Sequence, residues 1–174
     1  MFALALIAFS VLIGSVLVIA AARPDTIVVR RTATIQAPPE QLTRLIANFH
    51  NWGAWSPYEK LDPIMKRTFS GRTHGPGAIY AWEGNAKAGA GRMKIVDVSA
   101  SRVAIELEFV KPFETRNVAE FTFQPSGDAT TVTWSMRGPN VFLGKVAGLF
   151  LNLDRVIGHH FETGLGNLKA IAER

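Results

Sequence analysis

The sequence predicts an α+β domain, in which an antiparallel sheet of about seven strands packs on a long C-terminal helix, preceded by an N-terminal transmembrane helix. Three observations lead to this fold class. Residues 2–22 are almost entirely apolar, residues 26–137 contain short runs of alternating apolar and polar residues, and residues 141–171 carry apolar residues three or four apart. These patterns are typical of a membrane span, of half-buried strands and of an amphipathic helix, respectively.

The N-terminal run FALALIAFSVLIGSVLVIAAA, from Phe2 to Ala22, contains no charged residue. At about 1.5 Å per residue, a helix of this length reaches roughly 30 Å, which matches the hydrocarbon core of a bilayer. We therefore expect a transmembrane anchor over residues 1–23, a single-pass membrane location, and a globular domain over 24–174. Two alternatives stay open: a cleaved secretory signal ending near the three alanines before Arg23, and a buried core helix.

Positive charges follow the apolar run, at Arg23, Arg30 and Arg31, whereas only the terminal amine precedes it. Because Lys and Arg near a span favour the cytoplasmic side, the distribution leans slightly towards a cytoplasmic domain. So few charges leave the side of the membrane open.

The sequence pattern over residues 26–137 predicts a series of strands. The β-branched run 26–36 comes first, and Pro38 and Pro39 then begin a helix with apolar residues at helical spacing. Short turns rich in Gly, Pro, Ser and Asp separate six further alternating runs, at 65–70, 78–84, 92–98, 102–110, 115–124 and 130–137. Consecutive strands with such short links favour an antiparallel meander over a parallel sheet.

Alternation within the strands indicates one buried face. In the run 102–110, for example, Ile105 and Leu107 share one side and glutamates occupy the other. A sheet with one apolar face needs a cover, which the helical pattern over 141–171 supplies. Glycines weaken this helix, so we expect a break between Gly144 and Gly148.

The composition argues against several kinds of site. The formal charge is +5, yet the Lys and Arg residues are scattered, so we expect no nucleic-acid partner. Cysteine is absent, which excludes disulfides and a thiol nucleophile. The histidines lack metal-ligand spacing and no phosphate-cradling glycine motif stands out, so we expect no metal and no cofactor.

Four stretches carry a family likeness: NWGAWSPYEKLDPIMKRTFSG at 51–71, YAWEGNAKAGAGRMKI at 80–95, LEFVKPFETRN at 107–117 and VTWSMRGP at 132–139. With these residues the domain over 24–174 resembles the SRPBCC, or START-like, superfamily, and within it the polyketide cyclase/dehydrase-like group. The resemblance implies a helix-grip fold, with a curved sheet around the C-terminal helix and an apolar cavity for lipids, sterols, polyketides or similar molecules. It does not imply an enzyme, because transfer proteins, cyclases and co-chaperones share the fold.

The expected ligand-binding residues are aromatic or apolar side chains of the loop, the inward strand faces and the helix, together with two polar ones. Residues 51–63 form an aromatic loop, whose side chains either fill the core or form a lid over the cavity, and both readings predict burial. The full set is Trp52, Trp55, Tyr58, Tyr80, Trp82, Phe109, Asn117, Phe121, Trp134, Met136, Phe150, Ile157 and His160.

His160 and Asn117 are the candidates for a catalytic role. His160 lies in helical phase with Ile157, and an inward histidine can act as a general base, although a satisfied core or rim residue is the simpler reading. Asn117 shares the inward phase of Ala119, and an inward polar group must be hydrogen-bonded or meet a ligand.

The function expected from these features is binding of a hydrophobic small molecule between sheet and helix by a membrane-anchored domain. One alternative is a polyketide cyclase or aromatase in which His160 and Asn117 move protons on the ligand. Another is a non-catalytic, membrane-associated interaction module with a filled core. The sequence leaves the oligomeric state open.

Overall fold

The computed structural model describes the backbone of residues 2–174 and the side chains of that range apart from those at 3–5 and 8. Two 3-10 helices, Phe49–Asn51 and Pro57–Lys60, flank the short helix Trp52–Trp55. The helices and strands are α1 (Phe2–Ala21), β1 (Thr26–Ile35), α2 (Pro39–Ile46), α3 (Trp52–Trp55), β2 (Lys66–Gly71), β3 (Ala78–Glu83), β4 (Ala90–Ser99), β5 (Arg102–Lys111), β6 (Thr115–Ser126), β7 (Ala129–Pro139), α4 (Phe142–Phe150) and α5 (Leu153–Ala172).

All seven strands form one antiparallel sheet in the order β1-β7-β6-β5-β4-β3-β2. The predicted six-strand meander is confirmed, and the first strand closes it by pairing with the last, with Val29 opposite Met136. Register shifts interrupt the pairing of β4 with β5 next to Gly91 and Val96, where the alternation changes phase.

One face of the sheet is buried, as the alternation predicts. On β6, Ala119, Phe121 and Phe123 are buried, whereas Val118, which comes just before Ala119, is 48% exposed. The outer face carries cross-strand ion pairs such as Arg92 with Glu108. This asymmetry means that a cover on the inner face must exclude water from the core.

The cover consists of α5 together with α2 and the aromatic segment, residues 51–63, which includes α3. Helix α5 lies on β1 and β7, while α2 contacts β5 and β6. Arg31 of β1 crosses α5 and donates hydrogen bonds to Asp154 and Glu162, at 3.0 and 2.6 Å. The crossing depends on Gly158, because a Cβ there would lie 1.9 Å from the Arg31 guanidinium.

The break in the C-terminal helix lies later than predicted. Gly144 and Gly148 are both inside α4, and the chain leaves the helix at Leu151. Asn152 then caps α5, because its side chain accepts a hydrogen bond from the Arg155 amide. A capping residue satisfies otherwise unpaired amides, and here it decides the boundary more than the glycines do.

The predicted transmembrane anchor over 1–23, and with it the single-pass membrane location and the cytoplasmic lean, is wrong. A bilayer core requires roughly 20 predominantly apolar residues in one helix. Among the described residues, no helix is both long enough and apolar enough to cross a membrane. Helix α1 lies against α4. Nor is α1 a core helix, since Ala20 is the only buried residue among its described side chains.

The cover can be tested with two leucines of the C-terminal region. Leu168 of α5 is fully buried, whereas Leu143 of α4 is 58% exposed. We expect Leu168→Ala to lower the free energy of unfolding by about 2–5 kcal/mol, and Leu143→Ala to change it by less than about 0.5 kcal/mol. Urea unfolding followed by circular dichroism measures both. Equal losses would contradict the assignment of α5 as the cover of the core.

Candidate ligand-binding cavity

A cavity of about 200 Å³ lies between the inner face of the sheet, the aromatic segment and α5. Strands β3 to β7 each contribute side chains to it, so it occupies the middle of the meander. Most of the lining is apolar. The lining residues are Trp52, Ser56, Tyr58, Glu59, Leu61, Met65, Tyr80, Trp82, Lys87, Ala88, Met93, Leu107, Phe109, Ala119, Trp134, Met136, His160 and Phe161.

The aromatic segment both fills the core and lines the cavity. The indole nitrogens of Trp52 and Trp55 donate to the carbonyls of Ile46 and Leu45, at 2.9 and 3.4 Å, which ties both rings to the end of α2. Trp55 is fully buried and lies outside the cavity lining, so it is core. Tyr58 is half-buried and lines the cavity.

Trp134 of β7 connects the sheet to α5. Its ring stacks on Phe161 with centroids 4.1 Å apart and planes 6° apart, and it also contacts Phe121 at 4.9 Å. The helix comes this close because Gly164 has no side chain: a Cβ there would lie 2.7 Å from the indole. Both stacked rings form part of the cavity wall.

A buried polar group, Glu59, lies in the wall. Its carboxylate accepts a hydrogen bond from the Tyr80 hydroxyl at 2.6 Å and another from Arg67 Nε at 2.7 Å. The Glu59 side chain is only 9% exposed, so both oxygens rely on these partners. Burial, and next the bond to Glu59, raise the pKa of Tyr80, which therefore stays protonated and remains a donor.

The turn between β3 and β4 borders the cavity and is held in place by Asp62. One oxygen of this buried carboxylate accepts from the Asn85 amide at 2.7 Å. Within the turn, the Trp82 indole donates to the Ala88 carbonyl at 3.0 Å. These bonds fix Trp82 and Ala88, which both line the cavity.

His160 lies beside Tyr58, with ring centroids 5.1 Å apart, and both residues line the cavity. Burial, and to a smaller extent the neighbouring His159, lower the pKa of His160 below its usual 6.5. Its imidazole is therefore neutral at neutral pH and can accept a proton. Burial raises the pKa of Tyr58, whose hydroxyl stays protonated.

The structure brings together most of the predicted site residues but not all of them. Trp52, Tyr58, Tyr80, Trp82, Phe109, Trp134, Met136 and His160 line the cavity. The others lie elsewhere. Trp55 and Phe121 are fully buried core residues, Ile157 packs against the core from α5, and Phe150 is 76% exposed at the end of α4.

Asn117 is buried, as its phase predicts, but it lies outside the cavity lining. Its amide donates to the Thr115 hydroxyl at 3.2 Å, and its side chain occupies the space left by Gly138. The catalytic pair suggested by the sequence is therefore not assembled, because only His160 reaches the cavity.

Several lining residues had no role in the sequence prediction. Strand phase places Leu107 and Ala119 on the inner face of the sheet, and helix phase turns Phe161 towards the sheet. These three residues could therefore have been predicted as lining residues from the sequence. Ser56 and Glu59 lie in irregular and 3-10 structure, where no period predicts direction. In the described residues, no group of three or more His, Asp or Glu side chains could hold a metal ion.

The Glu59 contacts predict a difference between two conservative substitutions. Tyr80→Phe leaves one buried carboxylate oxygen unpaired and should lower the free energy of unfolding by about 1–3 kcal/mol. Tyr58→Phe is the control, because Tyr58 lines the same cavity while the two Glu59 oxygens are paired with Tyr80 and Arg67. Chemical unfolding of both variants measures the difference, and equal effects would contradict the pairing.

The environment of His160 predicts a pH effect on stability. Because its pKa is lowered in the folded state, the unfolded chain binds more protons below about pH 6.5, so stability is lost as the pH falls through that value. The difference between the unfolding free energies at about pH 7.5 and about pH 5 should therefore be smaller for His160→Gln than for the wild type. The matched control is His74→Gln on an exposed loop. An unchanged pH dependence in His160→Gln would contradict the burial of this ring.

Solved structures confirm the fold. The chain resembles protein CV1439 from Chromobacterium violaceum, with a TM-score of 0.61, 14% identity, and coverage of 87% of this chain and 99% of that one. It also resembles the di-domain ARO/CYC protein BexL from the BE-7585A biosynthetic pathway (TM-score 0.65, 15% identity), covering 90% of this chain and 53% of BexL. A third similar structure is the di-domain ARO/CYC protein StfQ from the steffimycin biosynthetic pathway (TM-score 0.65, 11% identity). The match covers 85% of this chain and 51% of StfQ.

The solved structures show the arrangement of sheet and helix, but at such identities they do not show the chemistry. No curated protein matches the chain in sequence. A family model, described as polyketide cyclase / dehydrase and lipid transport, matches residues 26–173, which is the whole sheet together with α2 to α5. The chain therefore belongs to the polyketide cyclase/dehydrase and lipid transport family, within the START-like group.

Proposed function

We propose that the domain binds a hydrophobic small molecule in the cavity between the sheet and α5. The cavity itself carries this proposal: about 200 Å³ of space remains among apolar and aromatic side chains in an otherwise close-packed interior. A large apolar pocket with a few polar groups is the usual form of a small-molecule site. Family membership supports the same role.

The alternative of a filled interaction module is disfavoured by the position of the small residue Ala119. This residue lies on the inner face of β6, where its neighbours on the strand pairs are Met136 and Ile105. A larger side chain would fill the space that Ala119 leaves. An empty apolar volume costs stability because its lining loses contacts, so space kept open here favours a binding role over a filled core.

A cyclase or aromatase is the second candidate, and one observation favours it. His160 lines the cavity in its neutral form and so can act as a base on a bound ligand. The position of Asn117 is evidence against an enzyme, because this expected catalytic partner of His160 lies outside the cavity lining. A ligand that is recovered unchanged after long incubation with the protein supports binding alone, and a converted ligand supports the enzyme.

Binding can be tested with the neutral two-ring dye 1-aminonaphthalene, whose fluorescence rises in apolar surroundings and whose size suits a cavity of about 200 Å³. We expect saturable binding to the wild type, and at least about tenfold weaker binding to Ala119→Leu, a loss of about 1.4 kcal/mol. The leucine side chain would occupy the space next to the sheet in which the ligand binds.

The matched control is Ala170→Leu, because Ala170 is exposed on α5 away from the cavity lining. This variant should bind like the wild type, and thermal unfolding should show that both variants are folded. Undiminished dye binding by a folded Ala119→Leu protein would contradict the cavity as the site.

A further inference from the structure

Helices α1 and α4 form an apolar pair at one end of the sheet. They contact each other, and α1 leads into β1 while α4 follows β7. Since Thr26 of β1 pairs with Pro139 of β7, both helices join the sheet at the same end. The Lys145 ammonium of α4 donates to the Asp25 carboxylate at 2.5 Å, which ties α4 to the start of β1. The pair is therefore attached to the domain at a fixed place.

This pair exposes a large apolar surface. Ten large apolar side chains of α1 and three of α4 are between 44% and 86% exposed. Contiguous apolar patches on soluble monomers seldom exceed a few hundred Å². A stable interface buries roughly 800 Å² of each partner, or about 100 Å² from each of about eight side chains. The pair therefore exposes enough apolar surface for a stable interface.

The exposed surface of the pair offers nothing to a charged partner. Helix α1 contains no charged residue, and Lys145, the single charged residue of α4, is buried against Asp25. The Ser15 hydroxyl donates to the Val11 carbonyl at 2.8 Å, so it is satisfied within the helix. Two identical surfaces of this kind can meet without bringing like charges together. A lipid surface fits less well, because helices that lie on one carry a charged face towards water.

One side of α1 has the spacing of a helix-pairing seam. Ile7, Val11, Gly14 and Val18 follow one another at intervals of four, three and four residues, which is the heptad spacing. The three β-branched side chains are 60%, 63% and 69% exposed, and a Cβ at Gly14 would lie in open space. Ala20, which is buried, lies on the opposite side of the helix. The seam therefore faces away from the rest of the domain.

We propose that a second copy of the chain covers this surface, with the two α1 helices packed along Ile7, Val11, Gly14 and Val18. In the heptad the two valines take the a positions, where β-branched residues favour two strands. The small Gly14 lets the two backbones approach closely. No residue of α1 or α4 lines the cavity, so dimerisation and ligand binding are independent of each other.

The test measures the oligomeric state of the full chain by sedimentation velocity in buffer without detergent. We expect the wild type to sediment at twice the chain mass of 19.0 kDa. Val11→Glu and Val18→Glu should each raise the dimer dissociation constant at least about tenfold, because the seam would bury a like charge from each copy. The matched control is Phe9→Glu, since Phe9 is 61% exposed on the side of α1 opposite the seam. This control should remain a dimer.

Thermal unfolding and 1-aminonaphthalene binding should show that every variant is folded, because none of the three side chains belongs to the core. If one seam variant does not fold, the other decides. A monomeric wild type would overturn the inference, and pelleting of that monomer with phosphatidylcholine vesicles would assign the surface to lipid instead. A dimer that persists in both seam variants would place the contact elsewhere. Equal weakening by Phe9→Glu would contradict the seam.

Discussion

The close approach of α5 to Trp134 is the contact on which the rest of the structure depends. Trp134 stands on the inner face of the sheet and stacks on Phe161 of the helix, with ring centroids 4.1 Å apart. Gly164 permits this distance, because any Cβ there would overlap the indole. Burying two large rings in one stack contributes more free energy than most single core contacts. The stack therefore fixes how far the helix stands from the sheet.

The same spacing explains why the interior is not full. Large aromatic rings hold α5 at one end of the sheet, whereas small Ala119 leaves room on the neighbouring strand. The aromatic segment closes the space from the side, and its Trp52 and Trp55 indoles are bonded to the end of α2. Cavity walls that are rigid for structural reasons suit a preformed binding site, because little ordering is needed when a ligand enters.

The parts predictable from sequence were those with a regular period. Strand alternation placed Trp82, Trp134 and Met136 on the cavity side, because the pleat fixes side-chain direction. Irregular segments follow no such rule, so the side-chain directions of Ser56 and Glu59 could not be predicted from the sequence. Strand phase predicts that a side chain is buried but not which groups it contacts. Asn117 is buried as expected, yet it lies outside the cavity lining. The length and apolar composition of the N-terminal run predicted a membrane span, and this prediction is wrong, because no helix among the described residues is both long enough and apolar enough to cross a bilayer.

The central claim is that the space beside Trp134 is open to an apolar guest. Xenon enters dry apolar cavities, so a crystal structure determined under xenon pressure tests the claim directly. The account predicts xenon density between the inner face of the sheet and α5, in contact with Met136 and Leu107. A crystal that shows no xenon there, with side chains packed across the space, would contradict it.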